Sequence, residues 1–176
     1  MRKNLLALAA VLSCACITAN AGSFDGLYVT GGLSTSSASD TVTSAAASES
    51  GKTLTLGLGY AMPVLSDHVT LAIVGEATVG FDSASTKSFA ASIQPGYYVN
   101  DDVVIYGKLG VVSESRSTDT LSGVSFGGGV KFQIAPNTFL GGEIEQIKVK
   151  APTVSTTGVT YNLKDTRLSA KLGYVF

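Results

Sequence analysis

Apolar residues in this chain recur at every second position, in segments separated by polar stretches. In a β-strand, alternate side chains leave on opposite faces. Each segment therefore predicts a ribbon with one apolar face and one polar face. The C-terminal stretch Arg167–Phe176 shows the pattern: Leu168, Ala170, Leu172, Tyr174 and Phe176 on one side, Arg167, Ser169, Lys171, Gly173 and Val175 on the other. Thr53–Met62 is equally regular, with Leu54, Leu56, Leu58, Tyr60 and Met62 opposite Thr53, Thr55, Gly57, Gly59 and Ala61.

The same rule predicts eight strands: Gly26–Ser34, Thr53–Met62, His68–Phe81, Ser88–Val99, Val103–Val112, Val124–Ile134, Thr138–Val149 and Arg167–Phe176. In the first, Leu27, Val29 and Leu33 alternate with Tyr28, Thr30 and Gly32. In the fourth, Pro95 lacks a ladder donor and predicts a bulge or weak pairing. The seventh is the least regular: Leu140 and Ile144 oppose Gly141, Glu143 and Glu145, and the phase blurs near Ile147 and Lys148. The connections alternate. Polar stretches at 34–51, 82–87, 113–121 and 150–164 read as longer loops, and those at 63–67, 100–102 and 135–137 as short turns. An even strand count with this alternation puts every long loop at one end.

The first residues stand apart. Arg2 and Lys3 precede an apolar run from Leu5 to Ile17, and Ala19-Asn20-Ala21 is a small-x-small cleavage signal. Residues 1–21 are expected to be a cleaved signal peptide, leaving 22–176 as one domain. Both cysteines, Cys14 and Cys16, fall in that segment, so the mature chain has no thiol. Without Arg2 and Lys3 it carries 10 basic and 13 acidic residues, and charged residues make up only 14% of the whole sequence. No basic stripe suggests nucleic acid.

Charge decides which face points where. Across the second to sixth strands and the eighth, the apolar face carries no Asp, Glu, Lys or Arg. A charge facing mid-bilayer lipid costs roughly 2–4 kcal/mol, so an uncharged outer face is what lipid contact requires. The opposite face is mostly Gly, Ser, Thr and Ala with occasional charges, suited to the inside of a narrow cylinder. In hydrocarbon an open sheet edge leaves backbone groups unpaired, so the first strand must close on the eighth. Tyr60, Tyr97, Phe132, Tyr174 and Phe176 fall near the short-turn end and Phe81 and Phe89 near the other, as interfacial girdles.

Taken together, the N-terminal signal, the eight alternating strands and the terminal Phe176 resemble the small Gram-negative outer-membrane β-barrels of the OmpA/OmpX and opacity-protein type. The resemblance implies an all-β, eight-stranded antiparallel up-and-down transmembrane barrel with short periplasmic turns and longer outer loops, located in the cell outer membrane. It also implies that Leu168, Ala170, Leu172, Tyr174 and Phe176 form an assembly signal read by the barrel-assembly machinery. Gly141-Gly142-Glu143-Ile144-Glu145 is similar to the family's Gly-x-Glu-aromatic-Arg pattern but has Ile144 and Glu145 in place of the aromatic and basic residues.

The predicted lumen-facing charges are Glu76, Lys108, Lys131, Glu143, Glu145, Arg167 and Lys171. Unpaired charges in a barely wet interior are costly, so they are expected to pair: Glu143 with Lys108, Lys131 or Lys171, with Glu145 and Glu76 further out and Arg167 near the outer rim. The single histidine, His68, lies at a turn, far from any nucleophile arrangement, so no catalytic residue is assigned. One histidine and no mature cysteine give no soft-ligand metal set and no cofactor. The expected function is that of a non-enzymatic, monomeric surface barrel, porin-like in architecture and a surface antigen by exposure. Its expected partners are outer-membrane lipid and lipopolysaccharide, and a host or cell-surface ligand met through the loops. The alternative is a narrow passive channel for ions or small polar solutes.

Overall fold

In a computed structural model, residues 24–40, 48–81, 87–116, 119–150 and 162–176 are described. The expected signal segment, its cleavage residues Ala19 and Ala21, and the loop residue Tyr161 lie outside them. The described elements are all strands: β1 (Gly26–Asp40), β2 (Ser48–Val64), β3 (Ser66–Gly80), β4 (Lys87–Asn100), β5 (Val103–Arg116), β6 (Asp119–Ala135), β7 (Thr138–Lys150) and β8 (Asn162–Val175). Each pairs antiparallel with the next, and β1 pairs with β8 from Tyr28↔Val175 to Asp40↔Leu163, closing the barrel.

The faces follow the alternation. Leu33, Leu56, Ile73, Phe89, Leu109 and Leu168 point outward and are more than half exposed. Their inward neighbours, such as Thr55, Ser92 and Ser169, are buried. The protein is therefore inside-out relative to a water-soluble domain, as hydrocarbon demands of a spanning structure. Inward hydroxyls tie neighbouring strands together, with Ser34 Oγ 2.8 Å from Ser169 Oγ and Thr55 Oγ1 3.0 Å from Thr78 Oγ1.

The strands run further than the apolar pattern. β1 continues through the Ser/Thr-rich stretch to Asp40, and β2 begins at Ser48, so most of the expected 34–51 loop is paired ladder. Likewise β5 reaches Arg116 and β6 starts at Asp119, inside the expected 113–121 loop. Beyond the bilayer nothing selects for an apolar outer face, so the periodic signal ends although the hydrogen bonding does not.

Pro95 gives the weak pairing of the two expected outcomes, and no bulge. The β4–β5 register is the same on both sides of it, Ile93↔Leu109 and Gly96↔Tyr106, with the pairing lapsing only at Gln94 and Pro95. The register shifts lie at the short turns instead, between Pro63 and Val64, Tyr98 and Asn100, and Gln133 and Ala135. Such irregularities at a barrel rim end pairing and re-aim the chain. In β7 the phase persists: Ile147 and Val149 point inward and Lys148 outward. The apparent blur arises because the inside is apolar at that level and the outside is not.

Candidate functional site

An eight-stranded barrel encloses a space just wide enough for its own side chains. Three layers fill it here.

The first layer, at the short-turn end, is an apolar floor of Phe24, Tyr28, Tyr98, Phe139, Val74, Val104 and Val175. Phe24 packs edge-on against Phe139 at 5.7 Å between ring centres and lies tilted against Tyr98 at 6.0 Å; Tyr28 meets Phe139 edge-on at 5.8 Å. Asp25 accepts a 3.0 Å hydrogen bond from Thr70 Oγ1, anchoring the segment that carries Phe24. Three inward aromatics each stand directly opposite a glycine on the next strand: Tyr28↔Gly59, Tyr106↔Gly129 and Phe139↔Gly173. A Cβ on any of these glycines would run into the facing ring. The absence of side chains there lets the rings lie flat across the lumen wall.

The middle layer is ionic. Lys108, 1% exposed, places Nζ 2.5 Å from Glu76 Oε2 and 2.9 Å from Glu143 Oε1. The same ammonium is 3.0 Å from Glu145 Oε1, an ion pair without hydrogen-bond alignment. Lys171 Nζ lies 2.5 Å from Glu76 Oε1 and 2.9 Å from Glu143 Oε1. Tyr106 donates to Glu143 Oε2 at 2.8 Å. Two carboxylates thus each bridge the same two lysines, a fourfold arrangement in which each of the four charges has at least two opposite neighbours.

Glu76 belongs to this centre rather than lying further out, because the barrel's closure carries β3 across to β8. Lys131 takes part differently from the expected pairing. Its Nζ sits 4.4 Å above the Tyr28 ring, 5.0 Å from Tyr106 and 5.5 Å from Phe139, and it donates to Tyr28 Oη at 3.4 Å. Ring quadrupoles hold this cation. Arg167 lies toward the outer end, opposite Glu145 in register and 3.4 Å from Asp165.

The third layer is an apolar patch at the outer end: Val112, Leu121, Ile147 and Val149, with Ala90 against it. Between the layers are cavities of about 10 Å³, both lined by Glu76, Glu143 and Lys171. That is the space of about one water.

His68 is exposed at the start of β3 and stacks obliquely on Tyr97 at 6.3 Å, on the outer surface and away from the lumen. At the C-terminus, Phe176 N donates to Leu27 O at 2.9 Å and Val175 N to Asn137 O at 2.8 Å, so the last residues stitch β8 to β1 and to the β6–β7 turn. The sequence did not reveal the inward aromatics Phe24 and Phe139. Their signal would have been the glycines placed on the polar phase of neighbouring strands.

The profile of the outer membrane protein beta-barrel domain family matches residues 6–176. Among solved structures, Neisserial surface protein A superposes with a TM-score of 0.59 at 17% identity, covering 86% of this chain and 98% of that one. Ail, the attachment invasion locus protein of Yersinia pestis, gives 0.51 at 15% identity, covering 86% and 100%. At these identities the likeness shows the fold. Comparison with curated protein sequences finds no match.

Proposed function

The chain belongs to the outer membrane protein β-barrel domain family and resides in the outer membrane, and from that premise we propose that it is a closed, non-enzymatic surface barrel whose outer loops meet other cells or their molecules. One observation carries this reading: among the described residues, side chains occupy the lumen at three levels, with an ionic lock between two apolar layers. A conducting pore needs a continuous wet path, whereas the spaces beside the lock are about one water each. With the interior given over to holding the cylinder rigid, variable chemistry is left to the outer connections. The neighbour named for attachment supports the same direction. Leu168, Ala170, Leu172, Tyr174 and Phe176 serve as the assembly signal in this reading.

A second reading, a narrow ion path, is favoured by the lining of the two small cavities, which share Glu76, Glu143 and Lys171. Opening it would require the four-charge lock to separate.

The test uses vesicles carrying the folded chain, presented to epithelial cells. Replacing residues 41–47 and 152–160 by Gly/Ser linkers is expected to abolish adhesion while leaving the barrel folded. Vesicles that adhere no better than protein-free ones, or adhesion unchanged by both replacements, would refute the surface-interaction role.

A further inference from the structure

Charges on the outer half of the barrel are sorted by face. Lys52, Lys87, Lys148 and Lys164 point outward there, all exposed. Of the acids at that end, Glu114 and Glu145 are buried inside the cylinder, and Asp165 is half-buried beside Arg167. At the opposite end the exposed charges are acids, with Asp67, Asp101 and Asp102 at the short turns.

Lys148 and Lys164 face each other directly across β7 and β8. Like charges placed opposite on one sheet face repel. Their lateral partners in the sheet are Val124 on β6 and Ser39 on β1, so no acid adjoins the pair in register. The height of the pair is fixed as well. Lys148 Nζ lies 5.0 Å from the centre of the Phe126 ring, itself exposed on the lipid-facing side. The ammonium therefore sits at the upper edge of the apolar band, where hydrocarbon gives way to headgroups.

We propose that Lys148 and Lys164 form a binding site for the phosphate of a phosphorylated lipid headgroup in the outer leaflet. One phosphate between two ammonium groups turns a repulsive pair into two charge-assisted contacts. Lysine suits the task because it offers a compact point charge on a long, adjustable stem. The site is independent of whether the lumen conducts.

The test uses the folded barrel, residues 22–176, in phosphatidylcholine nanodiscs containing either lipid A or its fully dephosphorylated form. Lipid retained per barrel is read by native mass spectrometry, with folding checked by heat-modifiable gel mobility. Retention of lipid A over the dephosphorylated form is expected. A lysine near an anionic surface is worth roughly fivefold in affinity, so Lys148→Gln with Lys164→Gln should lower retention about 30-fold. Lys164→Glu should also abolish retention while relieving the repulsion, so the folded fraction should not fall. Equal retention of the two lipids, or retention unchanged in these variants, would overturn the site. Displacement of lipid A by equimolar inorganic phosphate would overturn its assignment to a lipid.

Discussion

Glu76 and Lys171 are separated by 95 positions in the chain, yet their side chains meet at 2.5 Å in the middle of the barrel. They are not neighbours in the sheet, since β3 and β8 share no ladder. Only closure of the cylinder brings them together, and Lys108 and Glu143 complete the arrangement from β5 and β7.

Removing one charge from that centre should cost far more than removing the caged lysine. Glu76→Ala leaves Lys108 and Lys171 sharing a single bridging carboxylate, and breaking a buried pair costs about 3–5 kcal/mol. Lys131→Met removes a cation held by aromatic faces, at a cost of about 2 kcal/mol or less. Urea unfolding in vesicles, followed by gel mobility, gives the order of the two variants.

The aromatic–glycine pairs make a sharper packing test. Gly173→Ala would drive a methyl group into the Phe139 ring, and overpacking costs about 1–3 kcal/mol. Gly142→Ala, on the outward face of β7, has nothing within 4 Å of the added methyl and should be neutral. The same unfolding measurement checks both.

Lipid exposure should show as depth dependence. Leu56→Arg places a cation on the outer face in the apolar band and is expected to destabilise by about 2–4 kcal/mol. Ser37→Arg, also outward but above the band near the end of β1, should cost about 1 kcal/mol or less. Comparable penalties at the two positions would argue against a bilayer edge between them.

Leu65 is the single residue between β2 and β3, and it holds φ at 64° while 100% exposed. A left-handed leucine costs about 1–2 kcal/mol, which asparagine tolerates better. Leu65→Asn is expected to raise stability by about 1 kcal/mol, measured as a shift in the urea midpoint.

The outward faces were legible in the sequence because lipid imposes a strict rule on them: Leu54 to Met62 and Leu168 to Phe176 could hardly be arranged otherwise. The lumen follows no such rule. Tyr28, Tyr98 and Tyr106 fall on the polar phase of their strands and point inward as that phase requires, but nothing in the phase shows that they and Phe139 stack across the lumen, three of them over glycines that give them room. Which charges touch was also hidden, since contacts across the lumen depend on strand stagger and tilt. Hence Glu76 reads as peripheral by position along its strand and lies central in space. The strand ends were missed for the opposite reason. Ser34 to Asp40 carries no apolar alternation, yet its backbone continues to pair with both neighbours.

On the proposed reading the cylinder is sealed by its own side chains. Planar-bilayer recording of the folded barrel, residues 22–176, tests this most directly. A sealed lumen gives no resolved conductance steps in the unmodified protein, with steps arising only when the lock is broken by Glu76→Ala together with Glu143→Ala. Steady open-channel steps in the unmodified protein, whether or not Lys108→Ala or Glu143→Ala alters them, would contradict it.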